Sequence, residues 1–549
     1  MKWGSALAGT IEQKARGAFF TPIEIADYMA QWAVRGADDT VLEPSCGEAV
    51  FLISAGKKLR TMRHAASLNA GQLAGVELHG ASAARAREAL AEVGLFADVS
   101  EGDFFEYAAS HRFDAIIGNP PFVRYQDFSG LSRARSLEAA LAQGVRLSGL
   151  ASSWAAFVVK AAMHLRPEGR LALVLPAELL SVGYAAEVRR FLLNRFSSLR
   201  LVSFEERVFP GVLEDVVLLL AEGSGRASCF QLYQARNAAS LEAEAMNWTS
   251  YVPSEGEKWT PAFVAQDTFQ EYDALAAQTC ETLAAWGGTY LGAVTGNNAY
   301  FAMTEAQARE HGITTDELIR ISPPGSRHLR GLEFSMNGWK ALRTEGERCH
   351  LFYPGDEPSD AARKYIAAGE QLGVSKAYKC RVRKPWWRVP LVDTPDLLFT
   401  YMNHDRPRLI ANTASAAIVN SVYGVRLKEG RKELGRFLLP LACLNSVTLL
   451  GAEVVGRAYG GGLLKLEPSE AGKLPVPSLE VISRRRARLE AIKPQLGTAL
   501  RSGRLEDACK LVDPIVLENV SEATLANLRQ ARELLFNRRK ARAGNGKNR

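Results

Sequence analysis

The sequence predicts an α/β protein whose N-terminal part, residues 1–225, folds into a doubly wound, mostly parallel sheet. Three observations predict this fold. Short apolar strand runs alternate with helical patterns such as Ser82–Val93, a glycine-containing turn follows the first strand, and polar side chains follow the later ones. Because parallel strands end at the same edge of a sheet, we expect these turns and side chains to meet there.

The first strand ends in a turn that is suited to ligand binding. The segment from Val41 to Leu52 has the pattern of a strand end, a tight turn through Gly47 and the start of a helix. Glycine lets a ligand come close to the backbone, and the helix N-terminus beside the turn favours anionic groups. The segment therefore predicts a cofactor site at this turn.

Acidic residues follow the next two strands. The apolar run Leu73–Leu78 carries Glu77 near its end, and Asp103 lies in the loop after a third short strand. In a βαβ unit, an acid placed like Glu77 can accept hydrogen bonds from ribose hydroxyls. Taken singly, each acid is typical of a solvated strand end, but their order along the sheet favours ligand binding.

A fourth strand, Phe113–Gly118, leads into the motif Asn119-Pro120-Pro121-Phe122. The Asn119 side-chain oxygen and the Pro120 carbonyl are two acceptors held close together by the restricted φ of proline. Together they can take both protons of an exocyclic amino group. Phe122 can stack on the ring that carries the amine. An isolated motif of this kind is often ordinary strand-to-turn punctuation, and the preceding strands favour a site.

On these residues, the segment from about Phe19 to Phe122 resembles the TaqI-like (gamma) order of N6-adenine-specific DNA methyltransferases. These are class I S-adenosylmethionine-dependent enzymes of restriction–modification type systems. Further segments that resemble the family are Phe19-Phe20-Thr21-Pro22, Gly169–Pro176, Phe209–Val212, Thr295–Phe301 and Tyr459–Pro468. The resemblance implies a Rossmann-like sheet, a C-terminal mixed α+β target recognition domain and a helical C-terminus.

The resemblance also implies a role for each matching residue. Asn119 and Pro120, with Pro121 completing the motif, would accept the two N6 protons of an adenine flipped out of double-stranded DNA. Phe122 and Phe209 would stack on that base. The implied cofactor is S-adenosyl-L-methionine, with no metal. Its implied contacts are Thr21, Glu43, Pro44, Gly47, Glu77, Asp103 and Asn119, with Glu77 at the ribose and Asp103 at the adenine amino group.

The chain departs from the family pattern at two positions. Ala49 stands where the family usually has a second glycine, which is tolerated if that residue has a negative φ. Phe122 replaces the commoner tyrosine, which removes a hydroxyl but keeps a face for stacking.

Composition excludes several other classes of protein. With 549 residues, of which 47% are hydrophobic and 23% charged, the chain is typical of a soluble globular protein of two to four domains. The N-terminus has no secretory pattern, and the longest apolar stretch, Phe437–Val455, contains Pro440 and is predicted to be a buried helix. Seven cysteines without a Cys-x-x-Cys pair support neither a zinc site nor disulfides, so a reducing cytoplasm is expected.

Positive charge is concentrated outside the N-terminal part. Residues 1–225 hold 23 Lys and Arg against 25 Asp and Glu, whereas the remainder holds 44 against 35. A solvated surface could carry this excess, but a domain that faces phosphates predicts it. The densest cluster, Lys376–Arg388, interleaves basic and aromatic residues; the alternative is an edge strand with core tryptophans. Its predicted DNA contacts are Lys379, Arg381, Arg383, Lys384, Trp386, Trp387 and Arg388.

The changes in pattern predict three regions. Residues 1–225 form the catalytic domain, residues 226–478 the target recognition domain, and residues 479–549 a helical region with a basic tail. The tail from Asn537 is predicted to be a disordered end. A monomer that acts on double-stranded DNA is expected, with no membrane contact, alongside a separate cognate restriction endonuclease.

Other functions remain open at the level of sequence. A protein glutamine methyltransferase uses a similar motif but needs no large basic second half. An RNA adenine methyltransferase would also have a basic, aromatic surface. A non-catalytic DNA-binding specificity component would not need an intact motif and cofactor series, and a fused nuclease would need a further acidic cluster.

Overall fold

The computed structural model describes residues 21–64, 67–108, 112–209, 215–242, 247–254 and 256–541. The predicted segments Phe19-Phe20 and Pro210–Val212 lie outside these residues. The chain divides into two compact units, Met1–Phe263 with Lys540–Arg549, and Val264–Arg539.

The first unit alternates strands and helices, as the sequence predicts. Its strands are β1 (Val41–Glu43), β2 (Leu73–Glu77), β3 (Asp98–Glu101), β4 (Phe113–Gly118), β5 (Leu165–Pro176), β6 (Ser198–Phe204), β7 (Val216–Glu222), β8 (Phe230–Ala235) and β9 (Thr249–Tyr251). Its helices are α1 (Ile23–Ala33), α2 (Val50–Arg63), α3 (Gly80–Glu92), α4 (Gly130–Leu141), α5 (Ser153–Met163), α6 (Glu178–Ser181) and α7 (Ala186–Arg195).

The nine strands form one sheet in the order β3-β2-β1-β4-β5-β7-β6-β8-β9. Strands β1 to β5 are all parallel, and β7 runs antiparallel between β5 and β6. The predicted doubly wound, mostly parallel sheet is thus confirmed. The direction of winding reverses between β1 and β4, and in such sheets ligands bind at the carboxyl ends of the strands at this reversal.

Burial explains why these segments are strands. Every residue of β1 and β2 is buried, as expected where helices cover both faces of a parallel sheet. Helix α1 buries one face, through Ile25, Met29 and Ala33 among others. The four-residue spacing of these three residues places them on one side of the helix.

The boundary between the units falls after Phe263, whereas the sequence placed it after residue 225. The reason is that β8 pairs parallel with β6 and β9 pairs antiparallel with β8, so residues 230–251 extend the same sheet. Gly223-Ser224-Gly225 is therefore a turn within the unit and not its exit.

The second unit, Val264–Arg539, contains shorter strands and more helices. Its strands are β10 (Cys280–Thr282), β11 (Gly287–Leu291), β12 (Ala302–Met303), β13 (Leu318–Arg320), β14 (Glu333–Phe334), β15 (His350–Phe352), β16 (Leu397–Phe399), β17 (Met402–Asn403), β18 (Leu409–Asn412), β19 (Tyr423–Leu427), β20 (Arg457–Tyr459), β21 (Leu463–Lys465) and β22 (Pro475–Pro477). They form a five-stranded sheet β11-β19-β16-β18-β14, two three-stranded sheets, β12-β15-β13 and β17-β21-β20, and the pair β10-β22.

Helices fill the rest of this unit. They are α8 (Gln266–Thr279), α9 (Leu283–Trp286), α10 (Asn298–Phe301), α11 (Glu305–Glu310), α12 (Met336–Thr344), α13 (Asp360–Gln371), α14 (Tyr378–Arg381), α15 (Lys432–Ala442), α16 (Ser446–Val455), α17 (Pro468–Gly472), α18 (Leu479–Arg501), α19 (Leu505–Val516) and α20 (Glu522–Ala541). The predicted mixed α+β domain and helical C-terminus are confirmed.

Two expectations for this region change. The apolar stretch Phe437–Val455 is not one helix: α15 ends at Ala442, Asn445 caps α16, and the pair is bent by 88°. The start of the basic tail is ordered, because α20 continues to Ala541 and Arg539 is buried in an ion pair with Glu453. Among the described residues, no single helix is long and apolar enough to cross a membrane.

Candidate active site

The winding reversal brings the ends of β1 and β4 side by side. Glu43 is the last residue of β1, and Asn119 directly follows β4. Gly118 allows a close approach here, since a Cβ at this residue would lie 3.3 Å from the Pro44 side chain and 3.7 Å from that of Glu43. The predicted cofactor turn and the Asn-Pro-Pro-Phe motif are therefore neighbours.

The turn after β1 is held against the end of β2 by Glu77. Its two carboxylate oxygens accept hydrogen bonds from the Gly47 N–H, at 2.9 Å, and from the His79 N–H, at 3.0 Å. A carboxylate has about four acceptor positions, so capacity for ribose hydroxyls remains. Leu78, next in sequence, is 58% exposed and adds an apolar surface that sequence reasoning missed. The sequence feature that could have indicated this surface is an apolar residue directly after the acid at the strand end.

Ala49 does not have the negative φ that the sequence argument required. Its φ is 64° and its ψ 28°, so this alanine caps α2 in the left-handed conformation. The conformation closes the turn, in which the Ala49 N–H donates to the Cys46 carbonyl at 2.6 Å. Alanine in this region costs about 1–2 kcal/mol relative to the right-handed form. Ala49 is fully buried, so surrounding packing holds the strained residue in place.

Cys46, in the same turn, is a packing residue, as expected. It is 2% exposed, and its sulfur lies close to Gly75, where an added Cβ would be 3.1 Å away. Burial, followed by the nearby acids Glu43 and Glu77, raises the pKa of its thiol. A thiol in this state is a poor nucleophile.

Glu43 is a buried acid. It is 2% exposed, and one of its oxygens accepts the Leu52 N–H near the start of α2, at 3.1 Å. Burial raises the pKa of the Glu43 carboxyl well above its usual value; the Leu52 hydrogen bond opposes the shift and Glu77 adds to it. A positively charged group placed beside this carboxyl would favour its charged form and oppose the upward shift in its pKa.

We expect Glu43→Gln to stabilise the first unit at neutral pH. Because the folded-state pKa of Glu43 is raised, folding favours its protonated form. Its contribution to stability is therefore lost as pH rises above the unfolded value of about 4.5. Glutamine can still accept the Leu52 N–H but carries no charge. The free energy of unfolding of the Glu43→Gln variant should exceed that of the parent by roughly 1–3 kcal/mol at pH 8, and by less at pH 5. Urea unfolding measures both values.

Glu48→Gln is the matched control for this prediction. Glu48 lies in the same loop, but its side chain is 44% exposed and it pairs with Arg85. Its replacement should change stability by less than about 0.5 kcal/mol. If Glu43→Gln were less stable than the parent at both pH values, the burial argument would be incorrect.

Asp103 follows β3, and one of its carboxylate oxygens has no hydrogen-bond partner among the described residues. Its other oxygen accepts the Phe105 N–H at 2.9 Å and so caps a short helical turn. Phe104 and Phe105 are buried below it and pack on Phe157, with ring centroids 5.4 and 4.8 Å apart. The aromatic packing fixes the loop that carries the carboxylate.

Asn119 has an acceptor with no partner. Its Nδ2 donates to Thr21 Oγ1 at 3.2 Å, while its Oδ1 is buried and has no hydrogen-bond partner among the described residues. An unpaired buried acceptor costs about 1–3 kcal/mol, so one that persists calls for an explanation. Thr21, which is predicted to lie at the cofactor, accepts the bond from this amide and so orients its oxygen.

The aromatic residues of the predicted site are mostly covered. Phe122 is 7% exposed and Phe209 is 4% exposed. The chain after Pro121 is held by Ser153, the first residue of α5, which sequence reasoning missed. A serine before an apolar helix was a visible signal for a helix start, but its contact with residues 121–123 is set by the tertiary fold.

The basic cluster of the second unit separates into two sets. Lys379, Arg381 and Lys384 are exposed around Tyr378, which is itself 65% exposed. The cluster lies on α14 and in turns, so it is not an edge strand.

The other members of the cluster face the protein. Arg383 donates to the carbonyls of Val294 and Thr295, the latter at 2.8 Å. Trp386 and Trp387 pack against the core around Phe301, and Arg388 pairs with Asp356 at 2.7 Å. These contacts hold the four partly buried side chains against the second unit, whereas the exposed set is open to solvent.

Both halves of the chain match known protein families. Residues 7–277 match the family described as N-6 DNA Methylase, and residues 256–517 match the C-terminal domain of Type II methyltransferase M.Eco57I. Sheet order and site together define a class I methyltransferase. Residues 7–277 are similar to the N-6 DNA methylases, and the chain is a DNA methyltransferase of restriction–modification type.

Relatives match over most of their length. The chain is 23% identical over 478 residues to Type II methyltransferase M.AccI from Acinetobacter calcoaceticus, covering 84% of this chain and 85% of the relative. It is 24% identical over 488 residues to M.XamI from Xanthomonas campestris pv. amaranthicola, with the same coverage. Among solved structures, the Type IIL restriction-modification enzyme MmeI in complex with DNA has a similar fold. Its TM-score is 0.59 and its identity 12%, and the match covers 91% of this chain and 73% of that one.

Proposed function

We propose that this protein transfers a methyl group from S-adenosyl-L-methionine to the N6 amino group of adenine in double-stranded DNA. The observation that carries the proposal is the Oδ1 of Asn119, which is buried and has no hydrogen-bond partner within the part of the chain that the structure describes; Thr21 orients it through the other end of the amide. This acceptor directly precedes Pro120 at the winding reversal, so an amino group that enters here would meet two acceptors on adjacent residues.

Asn119 and Pro120 would act by positioning. Accepting both N6 protons turns the nitrogen lone pair out of conjugation with the ring and toward the methyl donor. Both acceptors also become stronger partners as positive charge develops on the nitrogen. Such preorganised contacts account for much of the catalysis in reactions of this kind.

The residues at the turn fit S-adenosylmethionine, which when bound would supply a methyl group activated by its sulfonium. A Cβ at Gly47 would meet nothing within 4 Å, so the space beside the turn is open. Glu77 and Leu78 would hold the ribose and cover the adenine ring, and Asp103 has a free oxygen for the adenine amino group. Glu43 would face the positively charged end, with Pro44 beside it.

The target adenine would have to leave the duplex. Its N6 amino group is out of reach in stacked DNA, and flipping costs a few kcal/mol, which stacking in the site offsets. Phe122 and Phe209 are the aromatic residues proposed for this stacking. Both rings are largely buried, so only a small part of each is open to an entering base.

The second unit would contact the duplex through the exposed basic set. Lys379 Nζ and Arg381 Cζ lie 5.5 and 6.0 Å from the centre of the Tyr378 ring, so two cations and an aromatic form one surface. Surfaces of this kind bind the phosphate backbone and position a protein on DNA. They do not identify the DNA sequence.

We expect the triple replacement of Lys379, Arg381 and Lys384 by alanine to weaken DNA binding in a salt-dependent way. The slope of log K for DNA binding against log salt concentration is negative, and each lost phosphate contact makes it shallower by about 0.9. The slope of the triple variant should therefore be shallower than that of the parent by roughly 2–3. Fluorescence anisotropy with a labelled duplex between low and moderate salt measures this slope.

A control variant removes the same number of positive charges from another part of the second unit. Arg484, Arg486 and Lys510 are all exposed and already paired with glutamates on their own helices. Their triple replacement by alanine should leave the slope unchanged. Equal slope losses in both variants would mean that net charge, not this surface, governs binding.

A cognate restriction endonuclease on a separate chain is the proposed partner in the cell, with the methyltransferase itself acting as a monomer. The function is tested by expressing the chain in a host that lacks DNA methylation and mapping modified bases on plasmid DNA by long-read sequencing. N6-methyladenine at one recurring word supports the proposal. Modified cytosine, or modified RNA with unmodified DNA, would overturn it.

A further inference from the structure

The loop that carries the catalytic motif has few hydrogen-bond donors of its own. Pro120 and Pro121 lack an N–H, so this stretch of backbone cannot be held by the donor pattern that fixes an ordinary turn. Its position must come from contacts made to its carbonyls and to the residues that follow. Among the described residues, Ser153 makes contacts of this kind with both its side chain and its backbone.

Ser153 makes three hydrogen bonds to the loop. Its Oγ donates to the Pro121 carbonyl and accepts the Val123 N–H at 2.9 Å, and its own N–H donates to the Val123 carbonyl at 3.0 Å. Ser153 is 1% exposed, so water does not compete for these bonds. The loop is thus attached at three consecutive peptide units, from Pro121 to the residue after Val123.

The start of α5, which carries Ser153, is held in place by residues that follow β5 in the chain. Trp154 Nε1 donates to the Tyr184 hydroxyl at 3.1 Å, and that hydroxyl donates to Glu178 and lies 3.3 Å from Ser152 Oγ. Trp154 is fully buried. The start of α5 is therefore fixed by groups outside the motif, and Ser153 transmits that position to the loop.

We infer that Ser153 is a positioning residue for methyl transfer: it sets the direction of the Pro120 carbonyl relative to Asn119 Oδ1. The inference rests on the proposed function, because the two acceptors matter only if they hold an amino group. Fixing Pro121 and Val123 limits rotation of the peptide that carries the Pro120 oxygen. Without Ser153, the amino group keeps one acceptor in place and loses the alignment of the other.

The test compares Ser153→Ala with Ser153→Thr, which keeps the hydroxyl. Ser153→Ala should lower kcat by about 10- to 100-fold with KM for S-adenosylmethionine within twofold, and Ser153→Thr should recover most of the rate. Fluorescence of 2-aminopurine at the target position should show that the base still leaves the stack. Ser203→Ala, which removes a buried hydroxyl of β6 that bonds to the Tyr233 carbonyl and not to the loop, should keep the parent kcat.

Each outcome is decisive when the parent protein is assayed in parallel and its product nucleoside is identified. A parent that forms no N6-methyladenine would refute the proposed function. A parent that does, together with a normal kcat for Ser153→Ala at temperatures well below its unfolding midpoint, would refute the positioning role alone. Equal loss in the alanine and threonine variants, without rescue, would also overturn it.

Discussion

Asn119→Ala is expected to lower the rate of methyl transfer by on the order of 10³-fold. One buried hydrogen-bonding group aimed at developing charge contributes about 10²–10³-fold to the rate, and the alignment of the Pro120 carbonyl is lost with it. The loss should appear in kcat, measured by single-turnover assays with nucleoside analysis. KM for DNA should change little, because the phosphate contacts proposed for the second unit would supply most of the affinity.

The same variant should not be less stable than the parent. Asn119 Oδ1 is buried and none of the described residues donates to it, so its removal relieves a desolvation penalty of about 1–3 kcal/mol, partly offset by the lost bond to Thr21. Catalytic loss with unchanged or raised stability is the pattern expected of a group kept for function.

Thr21→Val provides a graded comparison. It leaves both acceptors in place but removes the hydroxyl that orients the amide, so a loss of about 10-fold is expected, between the parent and Asn119→Ala. Retention of more than a tenth of the parent rate by Asn119→Ala would show that the motif does not hold the reacting amine.

Arg539→Met is expected to lower the unfolding free energy of the second unit by about 3–5 kcal/mol. Arg539 and Glu453 are 3% and 4% exposed at their side chains and are joined by two hydrogen bonds, of 2.8 and 3.1 Å. The guanidinium also donates to the Gly462 carbonyl. Removing the arginine leaves a buried, uncompensated carboxylate on α16, which is the main source of the loss.

The double variant Arg539→Met, Glu453→Leu separates charge burial from packing. Because it removes both charges, it should recover at least half of the lost stability in urea unfolding. Arg504→Ala, which breaks an exposed pair with Asp507, should cost less than about 1 kcal/mol. A loss below about 1 kcal/mol for Arg539→Met would mean that water or another group compensates Glu453.

The parts of the fold that sequence reasoning predicted are those controlled by local pattern. Apolar runs of strand length, a glycine turn and acids at strand ends depend on neighbouring residues, and β1 to β5 lie where these patterns placed them. The sequence did not indicate that the first unit continues past residue 225, because the local pattern of β8 and β9 does not determine which sheet these strands join.

The candidate site shows the same division. That Glu43, Glu77, Asp103 and Asn119 meet at one sheet edge follows from the parallel order of their strands, which the sequence predicts. Whether they bind the cofactor and the base remains a prediction. The sequence did not indicate that Ser153 attaches the motif loop, or that Arg383 faces inward, since these contacts join residues 30 to 88 positions apart.

What the sequence by itself determined is thus the order of strands, the chemistry carried at their ends and the excess of positive charge in the second half. Only the tertiary structure decided the conformation of Ala49, the orientation of the Asn119 amide and the burial of Arg539. The physical reason is that periodicity and turn chemistry act over a few residues. A side chain's partner, its burial and its backbone strain depend on packing between distant segments, which no local pattern encodes.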